Sequence, residues 1–373
     1  MSGDGTRVVR AGLPEPGQGE PFLPGPVFAA PFQASGDPAD VPYVYSRYEH
    51  PTLERYEAAL GGLEEGETVL FASGMAAAAA LLLTELRPGN VVAIDRSCYL
   101  GVRRLAQTHL EPRGVEVRLA SPEALHEAVR GAQVLWLETP SNPKLEVYDI
   151  AALAAAGRGA GALTVVDNTT AGPLLQRPLE LGADAAMTSA TKQMTGHADI
   201  LLGYVTTRDP ERAQRLRDWR RDAGSVPGPF ETWLAHRSLP TLALRLERSC
   251  RSAQAIAELL SGRDDVASVL YPGLPSHPGH ETARRQMRGG FGMVVSFDLE
   301  TAERAERFLA AAELISDATS FGSVYTTAER RARWAGDDVS EGFIRLSAGC
   351  EDTADLVSDV ARALDMAGVQ TRA

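Results

Sequence analysis

The sequence predicts an α/β protein with a large, mostly parallel sheet domain and a smaller C-terminal α+β domain. Strand-like runs such as "NVVAID", "AQVLWLET" and "LTVVDN" alternate with alanine-rich helical stretches, the pattern of repeated βαβ units. These runs are continuously apolar, as strands read when helices cover both faces of a sheet. With 373 residues, 44% of them hydrophobic, the chain can fill one large core and a second, smaller one.

The first fifty residues are rich in proline and glycine, and "PEPGQGEPFLPGPVFAAPF" can form neither a regular helix nor a central strand. Residues 1–50 therefore read as an extended arm, packed on the chain's own body or on a neighbouring subunit. From Pro51, "TLERYEAALGGLE" has helical spacing and "TVLFA" is a short buried strand. "SGMAAAAALLLTEL" then opens a helix behind a serine cap. Further strands are expected at "NVVAID", "VEVRLA", "AQVLWLET", "LTVVDN" and "AAMTSA", completing a domain over residues 51–235. A long helical region from Pro229 to Leu260, broken near Pro240, links it to a domain over 236–373. There "ASVLYPG", "GMVVSFDL" and "GFIRLSAG" read as mixed or antiparallel strands. "AERAERFLAAA" and "DTADLVSDVARALDMAG" read as helices.

The formal charge is −12, from 37 basic and 49 acidic residues, with no basic block, which argues against a nucleic-acid partner. No apolar run is long enough to span a bilayer. "MSGDGTRVVRAGLPEPG" lacks the apolar centre of a signal peptide, so a cytoplasmic location is expected. Cys98, Cys250 and Cys350 lie far apart and match no metal-ligand spacing, so they read as inert thiols.

In open α/β sheets ligands bind beyond the carboxyl ends of the strands. After "TVLFA" come Ser73, Gly74 and Met75, opening a helix whose free N–H groups suit a phosphate. Taken alone, an ordinary serine cap explains them as well. Tyr99 follows "VVAIDRSC", and Asn142 lies in "TPSNP", where a plain turn asparagine is the alternative. After "LTVV" come Asp167, Asn168 and Thr169, and a carboxylate there is costly to bury unless something positive meets it. No histidine or cysteine nearby in sequence completes a metal-ligand set, so no metal is expected. After "DAAMT" come Ser189, Thr191 and Lys192.

The chain writes arginine almost everywhere, and its only lysines are Lys144 and Lys192. A lysine amine forms a Schiff base with an aldehyde and a guanidinium does not. Asp167 ends the strand before Lys192, so one βαβ step brings both to the same sheet edge. An amine for an aldehyde, an acid for a pyridinium nitrogen and hydroxyls for a phosphate together imply pyridoxal phosphate.

On these residues the sequence resembles the transsulfuration family of pyridoxal-phosphate enzymes. "YSRYEHPT", "FASGMAA", "ETPSNP", "VVDNTTAGPLLQRPLELGAD", "SATKQMTGHAD", "YPGLPSHPGH" and "FIRLSAGCED" are similar to family signatures, from about Tyr43 to Leu364. The resemblance implies the aspartate-aminotransferase-like fold (fold type I), with a seven-stranded α/β/α sheet. It implies that Lys192 is the Schiff-base lysine, that Asp167 pairs with the pyridine nitrogen, and that Tyr99 stacks on the ring. Ser73, Gly74, Met75, Ser189 and Thr191 would hold the phosphate, with Thr169 beside the cofactor. Tyr45 and Arg47 of the arm would complete a neighbouring subunit's site. Asn142 would lie near the cofactor and the substrate carboxylate, Arg345 would grip that carboxylate with Ser320 nearby, and Arg104 would bind a distal one. Tyr325 would border the substrate side chain.

Several positions depart from the family pattern: His50 stands for an asparagine, Gly101 lies in "CYLGVRRL", and Tyr325-Thr326-Thr327 replaces a Glu-Ser-Leu run. The resemblance implies a carbon–sulfur lyase on a small sulfur amino acid, of cystathionine γ-lyase type. Cystathionine γ-synthase chemistry is the nearest alternative, then methionine γ-lyase, and an idle cofactor-binding regulator the most distant. A homotetramer built as a dimer of dimers is the implied assembly.

Overall fold

The computed structural model describes residues 3–368. Seven strands form the first sheet: β1 (Glu67–Phe71), β2 (Val91–Asp95), β3 (Glu116–Ala120), β4 (Val134–Glu138), β5 (Leu163–Asp167), β6 (Ala185–Thr188) and β7 (Gly203–Thr207). Their order is β1-β7-β6-β5-β4-β2-β3. From β6 to β3 every pairing is parallel. Strand β7 is antiparallel to both β1 and β6, so β1 runs the same way as β6. Six strands thus deliver their carboxyl ends to one edge, and only β7 starts there. "GYVTT" carries too little apolar signal to announce β7 in the sequence, yet all five residues are buried.

The helical link runs over Pro229–Ser238, a tight turn at Leu239–Thr241, and Leu242–Ser261. Beyond it lie β8 (Ser268–Leu270), β9 (Val294–Asp298), β10 (Ser316–Asp317), β11 (Thr327–Arg330) and β12 (Phe343–Ser347). They form a second sheet in the order β10-β11-β12-β9-β8. Its central strand β12 is buried throughout and sets Arg345 directly opposite Glu329 of β11. Among the described residues no helix is long and apolar enough to cross a membrane.

The expected arm needs a correction at its start. Asp4–Arg10 is a helix that buries Val8. Arg7 Nη2 donates to Gly62 O at 2.8 Å, and Asp4 pairs with Arg177, so this end is docked on the chain's own body. Between Ala11 and Glu49 the only regular element is the short turn Pro38–Asp40.

His50 explains its own departure. It caps the helix Pro51–Glu64, with Nδ1 accepting the Leu53 N–H at 3.2 Å, the task an asparagine performs at an N-cap. Burial lowers the His50 pKa below its usual 6.5. The unfolded chain therefore takes up the proton first, and the cap's contribution is complete above about pH 6.5 and lost as pH falls below it. His50→Asn should keep the cap at every pH, whereas His50→Ala should cost about 1 kcal/mol. Urea melts at pH 8 and pH 5.5 test this: the unmodified chain should lose stability relative to His50→Asn at the lower pH. An unchanged gap would mean that the ring does not titrate in this range.

Candidate active site

A cavity of about 350 Å³ opens where the carboxyl ends of β1, β4, β5 and β6 meet the second sheet. Ser73, Gly74, Met75, Tyr99, Asn142, Asp167, Thr169, Ser189, Thr191, Lys192, Ser320 and Arg345 all line it. Residues up to 272 positions apart in sequence (345 − 73) thus meet in one place: the strand ends of the first sheet bring those from Ser73 to Lys192, and the second sheet brings Ser320 and Arg345.

The phosphate end is built by close backbone approach. Ser73 caps the helix Gly74–Glu85, its Oγ accepting from Ala76 N at 3.1 Å. The N–H groups of Gly74 and Met75 lie in the first turn and have no acceptor within the helix. A β-carbon on Gly74 would fall 2.8 Å from Ser189 Oγ, and one on Gly203 would fall 2.5 Å from Gly74 N. Only glycines permit this cradle. Ser189 N donates to Thr169 Oγ1 at 2.8 Å, tying the two strand ends together. The Thr191 hydroxyl is already spent on Leu202, donating to its carbonyl at 3.1 Å and accepting its N–H at 2.9 Å. Ser189 Oγ is therefore the freer of the two expected hydroxyls.

At the other side of the cavity floor, Asp167 accepts the Thr169 N–H at 3.0 Å. Burial raises Asp167 to about 6, against the pull of the Thr169 bonds and Lys192. Glu138 is its register partner on β4 and is pushed up further by burial and by the Asp167 charge. Glu138 accepts the backbone N–H of Tyr99 and, at 3.0 Å, that of Asn142, so one carboxylate positions two expected site residues. A side chain at Gly101 would meet the Tyr99 ring at 2.5 Å and Met75 Sδ at 2.8 Å, which accounts for the glycine there.

Lys192 Nζ donates to Ser320 Oγ at 2.6 Å and lies 5.0 Å from the centre of the Phe321 ring. Ser320 has a φ of 79°, a left-handed backbone that a non-glycine residue adopts only under constraint. That bend lets its carbonyl accept Arg345 Nη2 at 2.7 Å while its hydroxyl meets the lysine. Arg345 Nη1 donates to Asn142 Oδ1 at 2.8 Å, and Nη2 also reaches Glu329. Its Nε is buried without a partner, an unspent donor on a guanidinium at the cavity wall.

Burial lowers Lys192 to about 8, with the Arg345 charge adding to the effect and Glu329 and Asp167 opposing it. The neutral amine is the nucleophile, so its reactivity grows as pH rises through that value. In cofactor-free protein, acylation at Lys192 should reach half its plateau rate near pH 8, read by peptide mapping against Lys144. An inflection above about pH 10 would contradict this.

Several expectations need adjustment. Arg104 is exposed and does not line the cavity, whereas Arg331 does. Tyr99 is the non-helical N-cap of the helix Leu100–Leu105, and Arg104 lies on that helix with its side chain exposed. Tyr325 is 61% exposed and lines an adjoining hollow with Leu201 and Phe321, not the main cavity. Tyr45 and Arg47 stay outside their own chain's cavity; Arg47 packs on the Tyr48 and Tyr45 rings and donates to Arg221 O at 2.8 Å. Sequence reasoning missed Glu138, Phe321, Glu329 and Arg331. For the last two the signal was "AERRARW", in a region already departing from the family pattern.

The residues present fit pyridoxal phosphate: unspent N–H groups and a serine hydroxyl for an anion, a buried carboxylate short of positive charge, and a reactive amine between them. The family described as Cys/Met metabolism PLP-dependent enzyme matches residues 28–365. A Streptomyces coelicolor protein, provisionally named a cystathionine gamma-lyase, is 52% identical over 370 residues, covering 97% of this chain and 94% of its own. The cystathionine gamma-synthase of Mycobacterium tuberculosis H37Rv is 40% identical over 380 residues, covering 98% and 97%. The crystal structure of cystathionine gamma synthase from Xanthomonas oryzae pv. oryzae in complex with cystathionine has a TM-score of 0.94 at 34% identity, covering 98% of this chain and 99% of that one. The chain belongs to the pyridoxal-phosphate-dependent enzymes of cysteine and methionine metabolism.

Proposed function

We propose that the chain is a carbon–sulfur lyase that cleaves L-cystathionine at its γ-carbon, using one water to give L-cysteine, 2-oxobutanoate and ammonia. The observation that carries this is the linked set Lys192–Ser320–Arg345–Asn142, an amine held beside a guanidinium with an unpartnered buried donor. Bound in the cavity, pyridoxal phosphate supplies the electron sink for negative charge at the substrate's α-carbon. Gly74, Met75 and Ser189 bind its phosphate, supported by Ser73, Thr169 and Thr191, and Asp167 holds the ring-nitrogen proton. Arg345 orients the substrate by its α-carboxylate, through charge-assisted hydrogen bonds. Lys192 takes the proton from the α-carbon, passes it on and so returns to the neutral amine, and then takes one from the β-carbon. Tyr99 delivers a proton to the departing sulfur.

The nearest alternative is γ-replacement, as in the synthases, where a cysteine thiol takes the place of water. A methionine γ-lyase comes third. L-cystathionine incubated alone should give cysteine and 2-oxobutanoate in equal amounts. If cystathionine stays intact, and instead forms from O-acetyl- or O-succinyl-homoserine plus cysteine, the lyase reading is wrong and the synthase reading stands.

The same reading includes division into an arm (1–50), a cofactor-binding domain (51–235) and a C-terminal domain (236–373), and a cytoplasmic location. It also includes a homotetramer in which Tyr45 and Arg47 complete a neighbouring site. The exposed aromatics Phe22, Phe28, Tyr45 and Tyr48 on the arm favour burial against a second copy.

A further inference from the structure

Besides Lys192, two positively charged side chains line the cavity, Arg345 and Arg331. Arg331 begins the turn Arg331–Arg333 that follows β11. Its Nη1 donates to Glu329 Oε1 at 2.6 Å, its Nε to Asp337 Oδ2 at 2.8 Å, and its Nη2 to the same Asp337 oxygen. A guanidinium has five N–H donors, so these three bonds leave one on each terminal nitrogen. The Arg331 side chain is 11% exposed and its clamp Asp337 6%.

Glu329 has no exposure and bonds Arg345 as well, so one buried carboxylate carries both guanidiniums. The turn is also pinned from the Tyr99 side. Arg103 Nη2 donates to Gly336 O at 3.1 Å, and a β-carbon on Gly336 would lie 2.9 Å from Leu100 Cδ1. Arg331 is thus fixed and partly desolvated before any ligand arrives, which reduces the ordering cost of binding a planar anion.

We propose that Arg331 is a specificity-determining residue that binds a carboxylate on the substrate's side chain. The enzyme then prefers dicarboxylic sulfur amino acids over neutral ones, and Arg331 takes the role that the family resemblance implies for Arg104. Both guanidiniums reach the same oxygen of Glu329, so a substrate that meets both curves back towards one wall, as a flexible thioether chain permits. The inference deepens the lyase reading of the site and rests on it for the substrate class.

Binding to the holoenzyme, followed by the change in cofactor absorbance, tests it with ligands that have no leaving group. L-2-aminopimelate carries a carboxylate on its side chain and L-norleucine does not. Arg331→Gln should weaken aminopimelate by at least about tenfold and norleucine by less than about twofold. If Arg331 served only to hold Glu329 beneath Arg345, both ligands would weaken alike, and that outcome overturns the proposal. So does a selective loss in Arg104→Gln with none in Arg331→Gln. If Arg331→Gln does not fold, Arg331→Lys keeps the charge but not the fork, and a selective aminopimelate loss is again required. Intact cystathionine in the product assay would remove the lyase reading without touching this binding ratio.

Discussion

Lys192→Arg loses turnover by on the order of 10³-fold or more, as completely as Lys192→Ala, because the missing property is a neutral amine and not a positive charge. Arginine at this position would keep a cation near Asp167 and could still donate to Ser320. It cannot take a proton from carbon at neutral pH, and it forms no Schiff base. The unmodified amine, lowered to about 8, is partly neutral at physiological pH. Borohydride treatment of the holoenzyme should fix the cofactor on the Lys192 peptide alone. Both variants should show none fixed, with Lys144 as the only remaining lysine. Cofactor fixed on Lys144, or turnover surviving in either variant, would break the assignment.

Arg345→Gln should lower kcat/KM by on the order of 10²- to 10³-fold, since truncating one partner of a buried, hydrogen-bonded charge pair costs about 2–5 kcal/mol. The loss should appear mainly in KM if the fork binds ground state and transition state alike. Burial pulls the Arg345 guanidinium down to about 10 while Glu329 opposes the shift, so it is charged at neutral pH. The folding penalty should be smaller than the removal of a lone buried partner would cost. Glu329 keeps Arg331, Arg333 and, at 2.7 Å, Trp334 Nε1 as partners. Arg345→Lys should rescue little, because one ammonium cannot serve Asn142, Ser320 and Glu329 from three directions. Steady-state kinetics with thermal melts separate the two effects; a kcat/KM within about fivefold of the unmodified enzyme's would rule out the carboxylate role.

The cofactor half of the cavity was legible because its signals are local. A small residue after β1, an acid ending β5 and a rare lysine after β6 each sit at a strand end, and parallel strands share an edge. The substrate half was less so. Glu329 and Arg345 face one another only through the β11–β12 register, and nothing in the spacing of "AERRARW" and "FIRLSAG" reveals that pairing. Arg104 shows the opposite case, an arginine close in sequence to Tyr99 whose side chain is exposed and outside the cavity lining.

The alternation of apolar strands and alanine-rich helices was enough to determine the α/β class and the parallel sheet, and a rare lysine and an acid at successive strand ends were enough to expect Lys192 and Asp167 at one edge. The helix at Asp4–Arg10, the strand β7 and the place of the Arg331 guanidinium on the cavity wall were decided only in three dimensions. Their stability and direction come from what lies opposite them: a hydrophobic pocket for Val8, two neighbouring strands for "GYVTT", and a buried carboxylate with a fixed turn for Arg331. Contacts between residues far apart in sequence supply that energy, and no local pattern encodes them.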